Sequence, residues 1–127
     1  MKNLNKTAVI GKFDINTGIA RAIILSTGGE KEHAGKILKE CFSEPDRIEE
    51  LIGLGELSTL GRGLTVEDGT IAVHRDQGKP VLRILHWDLL GALVRDIELG
   101  YRDSMVYLHL SGSWSVYDFE QKCFVEY

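Results

Sequence analysis

The chain has 127 residues, of which 43% are hydrophobic and 27% are charged, and its formal net charge is −4. This composition predicts one globular domain spanning residues 1–127 with a single core, in which only residues 1–5 are expected to be flexible. The acidic balance makes nucleic-acid binding a poor fit, since such surfaces carry a basic excess, and no apolar run approaches the ~18 residues of a membrane span.

Residues 7–15 and 19–25 are predicted to be the two strands of an opening hairpin. They are rich in apolar and β-branched residues, and the intervening segment 16–18 ends in Gly18, where a left-handed backbone is needed.

Two short amphipathic helices are predicted between Glu30 and Gly53. Ser43 is expected to cap the second helix, with Pro45 in its first turn. Apolar residues recur at helical spacing in both segments. The predicted core-facing residues are Ala34, Ile37, Leu38, Cys41 and Phe42 in the first helix and Ile48, Leu51 and Ile52 in the second.

The second half of the chain alternates turns with short periodic segments. In chain order, we predict an ordered loop at 53–63, a strand at 70–74, a polar turn at 75–80, a strand or helix start at 81–85, a helix capped by Asp88 through about Leu99, a hairpin of 104–110 with 113–118, and a final strand at 122–126. Hairpins at both ends indicate an α+β fold, with an antiparallel sheet of about five or six strands and two to three helices packed on one face.

Cys41 and Cys123 are too few for a disulfide framework, and both are interpreted as small buried residues. A disulfide between them is the less favoured alternative. No signal peptide is recognised, so we expect a cytoplasmic protein.

The cluster of His74, Arg75 and Asp76 is the most polar turn in the chain. Arg75 and Asp76 could hold a phosphate or a charge on a partner, or they could form an ion pair that closes the turn. The letters HRD occur in the catalytic loop of protein kinases, but the other kinase motifs are absent and the chain is too short for that fold.

The remaining polar motifs predict no catalytic residue, cofactor or metal. His86 and Asp88 are expected to diverge at a helix start, where Asp88 serves as a cap. The four histidines show no metal-ligand spacing, and the segment 26–29 lacks the spacing of a phosphate-binding loop. We interpret that segment as a hinge.

Most of the aromatic residues lie in the last third of the chain. On the strand from Ser104, Tyr107 and His109 alternate with Val106 and Leu108 and therefore occupy the opposite face. If the Val106 face is core, Tyr107, His109 and Tyr117 form an exposed patch suited to a partner or to a homodimer. A helix covering this face is the alternative.

Three segments together resemble a family of small uncharacterised proteins of phages, prophages and mobile elements. They are GKIL at 35–38 with IEELIGLGELSTLG at 48–61, TIAVHRDQG at 70–78, and YLHL at 107–110 with GSW at 112–114. The family has His and Asp where this chain has 25–29, and Glu where it has Lys79. The resemblance implies a genomic setting rather than a mechanism, and a polar site of the family would be incomplete here.

These features favour a non-enzymatic cytoplasmic protein-interaction module of phage or mobile-element origin, serving in counter-defence or as a regulatory accessory. Its partner is expected to be a host or phage protein, or a second copy of the chain. The predicted contact residues are Tyr107, His109, Tyr117, Arg75 and Asp76. The alternatives are a small nucleotide- or phosphate-binding domain or enzyme using the His74–Asp76 turn, and an assembly component without a ligand.

Overall fold

The computed structural model describes residues 6–80, 82–110 and 112–127. A π-helical turn, Lys31–Gly35, leads directly into the first α-helix. The strands are β1 (Ala8–Asp14), β2 (Ile19–Leu25), β3 (Leu57–Thr59), β4 (Ile71–Ala72), β5 (Leu85–Trp87), β6 (Met105–Leu110), β7 (Ser113–Asp118) and β8 (Cys123–Glu126), and the helices are α1 (Lys36–Cys41), α2 (Pro45–Ile52), α3 (Val73–Asp76) and α4 (Leu90–Gly100).

The strands form one mixed sheet in the order β4-β3-β2-β1-β6-β7-β8, and β5 pairs beside β3 on the outer edge of β2. The pairs β1–β6 and β2–β3 are parallel, and the other pairs are antiparallel. The opening hairpin is confirmed, with Gly18 at a φ of +76°. The closing hairpin and the final strand are also confirmed, although Ser111 lies outside the described residues.

The α+β class is therefore confirmed, but the sheet has eight strands rather than five or six, and its helices lie on both faces. On the first face, Ile10 and Ile23 pack under the first two helices. On the second, Ala20 and Ala22 pack with Leu93 and Ile97 of α4. The prediction that all helices share one face was wrong, because β1 and β2 carry apolar residues on both faces.

The helix segments follow the predicted apolar pattern closely, but their caps differ. Ile48 of α2 is 1% exposed, and the other predicted stripe residues are also buried, except for the half-buried Cys41. Each fully buried Leu or Ile contributes roughly 1.5–3 kcal/mol to stability. Pro45 begins α2 as predicted. Ser43 does not cap it, because its hydroxyl donates instead to the carbonyl of Lys39.

The middle of the chain departs most from the prediction. Only Ile71–Ala72 form a strand at 70–74, and Val73–Asp76 form a helical turn. Val81 lies outside the described residues, and the strand that follows is Leu85–Trp87 rather than 81–85. Helix α4 begins at Leu90 without a side-chain cap, because the carboxylate of Asp88 pairs with His86.

Both cysteines are free thiols, so the less favoured disulfide does not form. Cys41 is half-buried under the first face, whereas Cys123 is exposed on the edge strand β8 and corrects the interpretation of it as buried. Within the described residues, no helix combines the length and apolar character needed to cross a bilayer.

Candidate functional site

The exposed aromatic patch predicted on the closing hairpin does not form. Tyr107 is fully buried beneath the π-turn, and its hydroxyl donates to the carbonyl oxygen of Gly29 at 2.7 Å. Tyr117 is 5% exposed on the opposite face, where its hydroxyl donates to Glu98. His109 is 9% exposed on the Tyr107 face. All three were expected at a contact surface, but helices on both faces of the sheet bury them.

Arg75 and Asp76 form an ion pair with each other, so neither side chain is left open to bind a ligand. The guanidinium of Arg75 donates to both oxygens of Asp76, at 2.7 and 2.8 Å. It also donates to the carbonyls of Leu64 and Thr70, while Asp76 accepts the backbone N–H of Ala72. The hydrogen bond from Arg75, and then that from Ala72, lower the pKa of Asp76. We call loop 61–70 with α3 the Arg75 turn.

The other two polar motifs also pair locally. Nδ1 of His74 lies 2.7 Å from the carbonyl oxygen of Lys79. Nε2 of His86 lies 2.9 Å from a carboxylate oxygen of Asp88, which contradicts the expectation that these side chains diverge. They meet because His86 is on a strand, β5, and not in a helix. Both side chains are exposed, so the contact is weak.

Strand register assembles a row of charged and polar side chains on the first face. Lys12 pairs with Arg21 across β1 and β2, Arg21 with His86 across β2 and β5, and Lys12 with His109 across β1 and β6. Four neighbouring strands therefore present a lysine, an arginine and two imidazoles in one line. Burial, and then the charge of Lys12, lower the pKa of His109.

A charged cleft of about 270 Å³ lies over part of this row. Glu49 of α2 closes it, with its carboxylate contacting Arg21 and lying 2.5 Å from Nζ of Lys12. The hydrogen bond from Arg21, and then that from Lys12, lower the pKa of Glu49. Asp14 also lines the cleft. Two cations meet two carboxylates there, so the cleft holds α2 on the sheet and offers little net charge to a ligand.

The exposed side of the first helical segment is different. Lys31, Lys36 and Lys39 are exposed and carry no salt bridge among the described residues, and we call them the lysine ridge. Nζ of Lys31 and Nζ of Lys39 lie 5.5 and 5.3 Å from the ring centre of Tyr127. The hydroxyl of Tyr127 donates to the carbonyl of Gly35 and so ties the ring to the π-turn.

Two grooves flank this ridge. The tyrosine groove, of about 510 Å³, is lined by Lys31, Glu32, Lys36, Lys39, Glu40 and Tyr127. The loop groove, of about 680 Å³, is lined by Glu32, His33, Lys36, Ile37, Thr59, Leu60, Gly61, Arg62, Asp68, Gly69 and Ile71. Glu32 and Lys36 line both grooves, so one partner could contact both sides of the ridge at once.

The composition of the grooves suits recognition rather than reaction. Aliphatic lysine stems and the Tyr127 ring form the wall of one groove, and Ile37, Leu60 and Ile71 form part of the other. Charged groups surround these apolar parts, which is the usual anatomy of a protein interface. Single π-turns are also frequent at functional sites.

The described residues contain no group of three or more His, Cys, Asp or Glu side chains placed to hold a metal ion. The 26–29 segment is a poor anion cradle, since the N–H of Gly29 donates to Lys6 and its carbonyl accepts the Tyr107 hydroxyl. His33 covers Gly28, with ring atoms 3.0 Å from where a Cβ would be.

Sequence reasoning missed the lysine ridge and Tyr127. The lysines fall between the apolar positions of the first helix and look like an ordinary solvated face. Tyr127 lies 92 residues after Gly35 in the chain, and the path of β8 brings the two together. Nothing local in the sequence indicates that juxtaposition.

Comparison with known proteins adds no relative. No family model matches the chain, and searches of curated proteins and of solved structures found no significant match.

Proposed function

We propose that this chain is a non-enzymatic interaction module that binds an acidic segment of a partner protein across the lysine ridge. The observation that carries the proposal is a row of three exposed lysines that form no salt bridge with any described residue, flanked by two grooves, on a chain whose net charge is −4. Charge complementarity of this kind speeds association and selects the partner.

The proposal replaces the contact residues expected from sequence. The buried Tyr107 and Tyr117 cannot reach a partner without local unfolding, and Arg75 and Asp76 are bonded to each other. His109 is 9% exposed and lines a small pocket instead of an open patch. The origin in a phage or mobile element, the role in counter-defence and the cytoplasmic location remain predictions.

The alternative of a nucleotide- or phosphate-binding turn is less well supported. The cation of Arg75 is already bonded to a carboxylate and two carbonyls, so a phosphate would have to displace them. His74 likewise contacts the carbonyl of Lys79.

Affinity capture with charge-reversed variants tests the proposal. The double variant Lys31→Glu/Lys36→Glu should lose a partner that the wild-type chain captures from lysate of the producing cells. The matched control, Lys79→Glu/Lys122→Glu, changes two exposed lysines away from the ridge by the same charge. It should retain the partner.

The recovered partner is then titrated directly with purified protein. Because the contact is between opposite charges at the surface, affinity should fall as salt rises from low to physiological concentration. Equal capture by the ridge variant and the control would place the contact elsewhere. Light scattering tests whether the partner is a second copy of the chain. In that case the wild-type chain would have the molar mass of a dimer, and Lys31→Glu/Lys36→Glu would have that of a monomer.

A further inference from the structure

A small pocket lies next to the lysine ridge. It has a volume of about 180 Å³, and we call it the His109 pocket. It is lined by Lys39, Ser43, His109, Gly112, Ser113 and Trp114. Lys39 also lines the tyrosine groove, so the pocket and the ridge share a side chain.

His109 is the unusual member of this pocket. The residue is 9% exposed, and its Nε2 atom is buried without a hydrogen-bond partner among the described residues. Buried polar atoms in folded proteins are nearly always paired, so an unpaired ring nitrogen beside a cavity points to a missing group. The backbone of His109 pairs with Lys12 on one side and with Trp114 on the other, and the centre of its ring lies 5.3 Å from that of the Trp114 ring.

Most other polar hydrogens in the pocket are already used. The Ser43 hydroxyl donates to Lys39, the Ser113 hydroxyl to Leu110, and the Trp114 indole to Phe42, at 2.9, 3.4 and 2.8 Å. Among the side chains that line the pocket, the remaining donors are the ammonium of Lys39, which also lies 5.3 Å from the ring centre of Tyr127, and the imidazole of His109 in the tautomer that carries its proton on Nε2. A group entering the pocket therefore meets two donors and should supply acceptor oxygens.

We propose that the His109 pocket binds the carboxylate of an acidic side chain in the partner segment that crosses the lysine ridge. Lys39 and Nε2 of His109 donate to the carboxylate oxygens, and the cavity has room for a group of that size. The inference rests on the proposed function, since the pocket is reached from the ridge.

Acetate is the probe that tests the pocket without the partner. In an NMR titration of the full chain, acetate should produce saturable shifts of the His109 ring signals and of the Trp114 indole N–H. Methylammonium, of similar size and opposite charge, should leave them unchanged. Lys39→Gln should weaken acetate binding roughly tenfold through the loss of a charge-assisted hydrogen bond. Lys31→Gln, on the same helical segment but outside the pocket, should not.

A second variant distinguishes a loss of acetate binding from a loss of folding. His109→Phe keeps a planar ring but removes the donor, and it should abolish the Trp114 shift while the thermal unfolding transition is retained. Acetate shifts that persist in both pocket variants, or no shift in the wild-type chain, would overturn the inference. Either result would leave the capture experiment with Lys31→Glu/Lys36→Glu unaffected, so the two proposals fail separately.

Discussion

The Arg75 turn and the lysine ridge are both polar and largely exposed, yet their side chains have opposite roles. In the Arg75 turn, the guanidinium and the Asp76 carboxylate are bonded to each other and to the backbone. On the lysine ridge, three ammonium groups contact no carboxylate among the described residues. The residue types in the sequence do not by themselves distinguish charged side chains that pair within the fold from those that remain exposed.

The difference lies in how the backbone meets the side chains. Loop 61–70 folds back on itself, so its carbonyls point towards Arg75, and Thr70 bridges Gly61 and Gly63 through its hydroxyl. The helix carrying the ridge satisfies most of its own backbone, and Lys31, Lys36 and Lys39 form no salt bridge within the part of the chain that the structure describes. Stability should therefore depend on the Arg75 turn, and partner binding on the ridge.

The largest effect is expected from Gly61→Ala in the Arg75 turn. A Cβ at position 61 would lie 1.8 Å from the carbonyl oxygen of Asp68, so the backbone would have to move. We expect the free energy of unfolding to fall by about 3 kcal/mol, the upper end for overpacked sites. Urea denaturation measures this directly.

Gly91→Ala is the matched control, because nothing lies within 4 Å of its Cβ position in α4. Alanine is the better helix former, so this variant should gain roughly 0.5–1 kcal/mol. If Gly61→Ala were as stable as the wild-type chain, the turn would be loosely packed. That result would contradict the claim that stability depends on the Arg75 turn.

A smaller effect is expected from Arg75→Ala. The substitution removes the guanidinium donor from the carbonyls of Leu64 and Thr70 and from the carboxylate of Asp76, which keeps only the N–H of Ala72 among its described donors. Because the Arg75 side chain is 37% exposed, water replaces part of the loss, and we expect a destabilisation of about 1 kcal/mol. Lys36→Ala should change stability by less than about 0.5 kcal/mol. Equal losses in the two variants would contradict the comparison.

Local patterns predict the hairpins and the first two helices well, since each is encoded by spacing within a few residues. The stripe of Ile48, Leu51 and Ile52 and the turn at Gly18 are examples. The helix arrangement was missed because it depends on both faces of β1 and β2 being apolar. A short strand such as Ile71–Ala72 cannot be separated by pattern from the helical turn that follows.

The candidate site was less accessible to prediction. Alternation along β6 places Tyr107 and His109 on one face correctly, but it does not show that the π-turn covers that face. The pairing of Lys12 with His109 needs the parallel β1–β6 contact, which joins strands nearly a hundred residues apart. Such long-range register is invisible to local periodicity.

The smallest effect is expected from the protonation of His109. It tests whether this side chain resembles the bonded groups of the Arg75 turn or the lysines of the ridge. Burial, and then Lys12, lower the pKa of His109 below its usual 6.5, and Lys39 adds a further positive charge at the pocket. The unfolded chain therefore takes up a proton before the folded chain does. The free energy of unfolding should be highest above pH 6.5 and should fall as the pH drops towards the lowered pKa.

Urea denaturation at pH 7.5 and 5.5 measures this loss, and His109→Gln provides the comparison because glutamine keeps a polar group but does not titrate. The variant should lose less stability over the same interval, whatever its absolute stability. An identical pH dependence in the two proteins would mean that the folded state protonates His109 as readily as the unfolded chain does. That would require an acceptor for the imidazolium inside the fold, and His109 would then resemble Arg75 rather than the lysines of the ridge.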